Sequence, residues 1–142
     1  MERHMLDLTQ PGHAHVDERL RSDIMLWLNT VRPDGRPHSA AVWFLWDGSQ
    51  FLIFSQPNTQ KIRNLQHNPN VVLALDNTKN GSDVIVIEGK AELLKQGDVN
   101  TTLPAYAEKY LPELKDMGWT PESMAADYSQ PIRVTPTKFV GL

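Results

Sequence analysis

"IMLWLNTVRPDGRPHSAAVWFLWDGSQFLIFS", residues 24–55, decides the fold. It breaks into three apolar runs, 24–31, 38–46 and 51–55, with Pro33-Asp34-Gly35 after the first and Asp47-Gly48-Ser49-Gln50 after the second. Asp-Gly between apolar, aromatic-rich runs is a strong hairpin signal, because glycine accepts the positive φ of tight turns. The stretch therefore predicts an antiparallel meander of three strands. Its middle run does not alternate, since Ala41 to Trp46 are all apolar. A strand apolar on both faces must be covered twice. One face can fill a barrel interior; the other needs a helix, a ligand or a second subunit.

Downstream, "FSQPNTQKIRNLQHNP" (54–69) ends the third strand, turns at Pro57-Asn58 and starts a helix near Thr59 with Ile62 and Leu65 as its buried stripe. Lys61 and Arg63 fall in the first turn. The helix dipole is positive there, so each cation is unfavourable by about 0.3–1 kcal/mol unless an anion is present. Free N–H groups, the Thr59 hydroxyl and two cations together make a phosphate cradle. The plainer reading is that Thr59 caps the helix and the cations are solvated. Residues 71–76 read as a fourth strand, 83–95 as a long fifth with Gly89 marking a bulge or bend, and 131–139 as a closing strand. In that last strand Ile132 and Val134 face one way, and Arg133 and Thr135 the other. Residues 98–118 read as helix interrupted by Pro104 and Pro112, and Thr120-Pro121 as the N-cap and first position of another. Upstream, 15–23 reads as a short helix on Val16 and Leu20, and 1–14 as a mobile arm. About six strands with short helices favour a small barrel.

The 142 residues suit one domain, and no repeat or linker divides them. The absence of cysteine excludes disulfides, thiolate metal sites and cysteine nucleophiles, and fits a cytoplasmic protein. No membrane span or signal core is apparent, and a net charge of −3 argues against a nucleic-acid partner. Between Asp47 and Asp76 there is no carboxylate, so an acidic chain has one basic segment around Lys61 and Arg63.

Residues 30–76, "TVRPDGRPHSAAVWFLWDGSQFLIFSQPNTQKIRNLQHNPNVVLALD", resemble the core of the pyridoxamine-phosphate-oxidase-like split β-barrel flavoproteins. More narrowly they resemble the flavin/deazaflavin-dependent oxidoreductase branch, in its probable F420-dependent subgroup. The tail "PAYAEKY…GWTPESMAADYSQPIRVTPTKF" is similar to the same subgroup, so the likeness spans roughly residues 20–140. The resemblance implies a mostly β, six-stranded antiparallel split barrel with short helices, forming a homodimer with the cofactor in a cleft between subunits. It implies that Val42 and Trp43 meet the ring's pyrimidine edge through backbone groups, and that Ser55 and Gln56 contact the ribityl chain or ring. Thr59, Gln60 and Lys61 match the phosphate-binding positions, and Ser39 stands where the oxidases usually carry an arginine. Ser39 and Gln60 are both uncharged where those enzymes have arginines. An FMN-type clamp is thus short of two positive charges, which tilts the expectation toward coenzyme F420, whose phosphate continues into a longer anionic tail.

The resulting expectation is an oxidoreductase passing hydride between a deazaflavin and a small conjugated substrate. The cofactor carries the difficult step, so no obligatory catalytic side chain is expected. The alternatives are an FMN-dependent pyridoxamine-phosphate-oxidase-like enzyme, and a non-enzymatic flavin, deazaflavin or haem carrier or sensor. Among other residues, His13 and His15 lack a third metal ligand nearby. His38 is the histidine best placed for proton chemistry. Trp43 and Trp46 point to opposite faces by strand parity. Trp119 and Tyr128 either line the cleft from a partner subunit or pack in the core, and Arg133 pairs with an anionic tail or with a surface carboxylate. No Ser-His-Asp order, paired carboxylates or phosphate loop supports hydrolysis or nucleoside-triphosphate chemistry.

Overall fold

Both Asp-Gly turns form hairpins, but the two hairpins lie at opposite edges of the sheet. A computed structural model of the chain describes residues 5–142. The first hairpin joins strand β1 (Met25–Val31) to β2 (Pro37–Trp43), and the second joins β3 (Leu45–Trp46) to β4 (Phe51–Ser55). Gly35 (φ 90°) and Gly48 (φ 99°) take the left-handed conformation the turns require. Helix α2 (Gln60–Leu65), β5 (Asn70–Leu75) and β6 (Ile85–Leu93) follow, then α3 (Pro104–Met117), α4 (Pro121–Asp127) and β7 (Gln130–Phe139). The sheet is antiparallel throughout, in the order β2-β1-β5-β6-β7-β4-β3. β2 and β3 end that order on opposite sides, yet Phe44 alone separates them in the chain. The sheet therefore curls until its edges meet at Phe44.

The expected middle strand is thus two strands, and the sheet has seven where the resemblance implied six. The cause is helix α3. Phe44 donates its N–H to the Tyr110 hydroxyl at 2.8 Å, and its carbonyl accepts from Lys109 Nζ at 2.8 Å. The same hydroxyl lies 2.6 Å from the Ile24 carbonyl, to which it donates. Side chains thus take the hydrogen-bonding groups that a strand neighbour would otherwise use.

The inner side of the curl holds the main core, including Leu26, Leu28, Ile53, Leu73, Ile87, Ile132 and Val134, all fully buried. The outer side of Trp43, Leu45, Leu52 and Phe54 packs against Tyr106, Tyr110 and Leu114 of α3 and Met124 of α4. The second cover of the doubly apolar run is therefore, on this half, the chain's own helices. Trp46 is buried on the opposite side from Trp43, as strand parity requires, with its indole N–H on Asp17 at 2.9 Å.

Gly89 is the bend expected in the long strand. The β6–β7 register shifts between Glu88 and Gly89, and a Cβ there would sit 2.8 Å from the Thr135 carbonyl oxygen. The first helix, α1 (Pro11–Ser22), begins earlier than expected and takes in the end of the supposed arm; residues 1–4 of that arm lie outside the described residues. It buries Val16 and Leu20 together with Arg19, which pairs with Asp23 at 2.7 Å and Asp83 at 2.6 Å. His13 Nδ1 accepts from the Asp7 N–H, and His15 lies 2.7 Å from Asp83.

Neither proline interrupts α3. Pro104 occupies a first-turn position, where its missing N–H is no loss, and Pro112 sits inside on an exposed side while Tyr106, Tyr110 and Leu114 hold the buried stripe. Gly118 (φ 73°) closes the helix, with Trp119 N–H on the Leu114 carbonyl and Gly118 N–H on that of Lys115. α4 starts as expected, with Thr120 and Ser123 exchanging hydrogen bonds across the first turn. Among the described residues no helix is long and apolar enough to cross a membrane.

Candidate functional site

The curl and the α3–α4 turn leave a cleft of about 280 Å³ between them. β2 contributes Ala41, Val42 and Trp43, the end of β4 and its following loop contribute Phe54 and Gln56, and α2 contributes Lys61. The facing wall is Met117, Trp119, Met124 and Tyr128. Val42 buries its side chain in the main core, so its peptide is what it offers the cleft. β2 ends the sheet order, so among the described residues one of its edges has no strand partner, an edge whose backbone groups suit a ligand. Trp43 is held by stacking on Tyr110, with centroids 4.4 Å apart and planes 3° from parallel. Trp119 and Tyr128 lean on each other at 6.0 Å.

Lys61 is the charged residue of the wall. Its ammonium is half-buried, and burial holds its pKa below the ordinary lysine value. The Thr59 hydroxyl, 3.4 Å away, is its protein contact, and among the described residues no carboxylate lies within ion-pair distance. A desolvated cation without a counterion is costly. This corner therefore suits an anionic group, and the flat aromatic lining beside it suits a planar ring.

Of the eight residues expected to hold a cofactor, the structure brings Val42, Trp43, Gln56 and Lys61 to the cleft. Thr59 precedes α2 and stands beside Lys61, but its side chain makes no capping bond. Ser55 is fully buried behind the wall, its hydroxyl donating to the Gln56 carbonyl at 2.8 Å. Ser39 is exposed on β2 and donates to the Asn29 side-chain oxygen. Gln60 is held along α2, donating to Asn64 at 2.8 Å and accepting from Arg63 at 3.0 Å. Trp119 and Tyr128, expected from a partner subunit or in the core, line the cleft of their own chain. Sequence reasoning missed Met117 and Met124, which the Gly118 turn and the Thr120 cap bring together at the cleft. Arg133 lies in a different cleft with Asp47 and Leu52, 3.7 Å from Glu92.

A family model described as pyridoxamine 5'-phosphate oxidase matches residues 13–141. The chain belongs to that family, whose split-barrel fold the curled antiparallel sheet presents. Among solved structures it is similar to an F420 reductase, with 28% identity over 87% of this chain and 94% of that one and a TM-score of 0.65. It shares its fold with a conserved hypothetical protein from Mycobacterium tuberculosis, at 22% identity over 98% and 87% of the two chains and a TM-score of 0.69. The fold is also that of HutZ, a haem storage protein from Vibrio cholerae, at 14% identity over 88% and 89% and a TM-score of 0.64. No curated protein matches the sequence.

Proposed function

We propose that this protein is an oxidoreductase that binds coenzyme F420 in the cleft of Trp43, Gln56 and Lys61 and reduces a small conjugated substrate. The observation that carries the proposal is the half-buried Lys61 ammonium, without a carboxylate, at one end of a cleft walled by aromatic and methionine side chains. A cofactor phosphate supplies the missing counter-charge as a charge-assisted contact. The Val42–Trp43 backbone edge is suited to the donors and acceptors of the ring, and Trp43, fixed by Tyr110, keeps that edge in place. When bound, the deazaflavin supplies hydride transfer, and the protein orients and shields it. The 28% likeness to an F420 reductase supports this choice of cofactor.

The cleft's 280 Å³ lies just below the usual range for small-molecule sites, about 300–1,000 Å³. Its rim includes exposed Ala41, which opposes exposed Trp27 on the neighbouring strand. A second copy of the chain on that sheet face would deepen the cleft, and we propose a homodimer that completes the site.

The test is titration of the purified protein with F420 and with FMN, followed by fluorescence quenching. Saturation by F420 in the micromolar range is expected, and binding of neither at tens of micromolar overturns the proposal. Membership of the pyridoxamine 5'-phosphate oxidase family keeps FMN as the second reading. A protein that purifies yellow with flavin absorbance would establish it. Turnover of electron acceptors with reduced cofactor separates an enzyme from a carrier on the same barrel.

A further inference from the structure

A second cleft, of about 270 Å³, opens on the outer side of the sheet beside the β3–β4 hairpin, and none of its residues lines the first. Strand register explains its floor. Leu45 of β3 pairs with Leu52 of β4, Leu52 with Arg133 of β7, and Arg133 with Glu92 of β6. Partners in register share a face, so Arg133 points outward with the two leucines. The facing wall is Leu94, Val99 and Leu103, from the segment that leads into α3. All five aliphatic side chains are only half-buried. Helix α3 buries Tyr106, Tyr110 and Leu114, which leaves the aliphatic groups at its entrance without a full cover. Such a concavity gains from an apolar ligand body, which takes its carbons out of water.

One end of the cleft is charged. Arg133 is the cation of the lining, and its side chain is 43% exposed. Among the described residues its ion-pair partner is Glu92, 3.7 Å away and itself exposed. A surface pair at that distance holds little, so a ligand carboxylate can take its place. The guanidinium fork matches a carboxylate through two parallel N–H donors. Gln50 reaches Thr135 only at 3.4 Å, which leaves its amide as a further donor at the rim. Asp47 is the opposite charge of the lining. Its Oδ1 accepts from the Ser49 and Gln50 N–H groups, both at 2.8 Å, so its own turn engages it.

We propose that this cleft is a second ligand site, which takes a small apolar monocarboxylate with its carboxylate on Arg133 and its hydrocarbon body over Leu52, against Val99 and Leu103. The site does not rest on the cofactor reading above. The reverse polarity, an amine on Asp47, is disfavoured. An ammonium would compete with two backbone donors for Oδ1 and would share the cleft with Arg133.

The experiment titrates isotopically labelled protein at neutral pH with 4-phenylbutanoate, and separately with the matching alcohol and amine, following amide shifts by NMR. Wild type, Lys61→Ala, Arg133→Gln and Val99→Phe are compared. The carboxylate is expected to saturate in the millimolar range or below, with shifts at Leu52, Val99, Leu103 and Arg133. It is expected to bind about tenfold tighter than the alcohol, the effect of one charge-assisted contact. Lys61→Ala is expected to bind it unchanged, which separates this site from the first cleft. Arg133→Gln removes only an exposed pair and is expected to fold. It should lose about tenfold in affinity for the carboxylate and none for the alcohol. Val99→Phe, which fills the cleft, should weaken both. Equal affinity for the three probes, tighter binding of the amine, or a carboxylate affinity unchanged in Arg133→Gln overturns the proposal. Shifts confined to the surroundings of Trp43 and Lys61, or no saturation by the carboxylate in wild type, overturn it as well.

Discussion

Lys61 brings a charge into a half-buried position and, among the described residues, meets it with a long contact to Thr59. Its depressed pKa means that folding disfavours the charged form, so the residue does not hold the fold together. Lys61→Ala should therefore leave the melting temperature unchanged or slightly raised, while cofactor Kd rises about tenfold or more, the worth of one charge-assisted contact. An unaltered Kd would locate the phosphate elsewhere. The residues readable at this scale were those whose role follows from their own neighbourhood. Lys61 stood out because cations are unexpected in a first helical turn. Trp43 stood out because its run is apolar on both faces. Ser39 could not be read this way, because its hydroxyl goes to Asn29 across the β1–β2 pair. Met117 and Met124 escaped because two isolated methionines carry no pattern until the α3–α4 turn brings them together.

At the scale of elements, the strand break at Phe44 is where sequence and structure part. Every residue from Ala41 to Trp46 suits a continuous strand, and the break comes from Lys109 and Tyr110, over sixty positions away. Gly89 was legible because it is the one residue without a Cβ in a β-rich run, and Pro112 misled because an exposed proline can be carried by a well-buried helical stripe. Tyr110→Phe leaves the buried Phe44 N–H without its acceptor and should destabilise by about 1–3 kcal/mol in urea unfolding. Gly89→Ala pushes a methyl against the Thr135 carbonyl and the Val134 side chain, and overpacking of that kind costs about 1–3 kcal/mol. Lys109 gives this junction a pH dependence. Burial brings its pKa down to about 8 despite Asp23 and Glu113. Between about 8 and its unfolded value near 10.5, the unfolded chain binds the extra proton, so this residue's contribution to stability rises with pH. Wild type should gain melting temperature relative to Lys109→Met across that window. Parallel profiles for the two proteins would show that the ammonium is not the titrating group.

At the scale of the molecule, the helices cover only half of the sheet's outer side. On the other half Trp27 is 49% exposed and Val72 36%. Trp27 lies in register between Ala41 on β2 and Ala74 on β5, so small side chains flank its half-exposed indole. A large half-exposed aromatic flanked by alanines on a strand face is the composition of an interface centre rather than of a solvated surface. Ala41 joins that patch to the cleft, since it opposes Trp27 and also lines the cleft beside Trp43. Association through this face would therefore bury the apolar strands and wall the open side of the pocket at once. Trp27→Lys places a charge at the centre, where desolvation penalises it, without touching the inner core that Leu26 and Leu28 hold. In sedimentation the wild type should run as a dimer and Trp27→Lys as a folded monomer. Cofactor affinity should fall in the variant although no residue of its own cleft has changed. A wild type that sediments as a monomer at micromolar concentration with cofactor bound would mean that one chain makes the whole site, and that Trp27 is exposed for another reason.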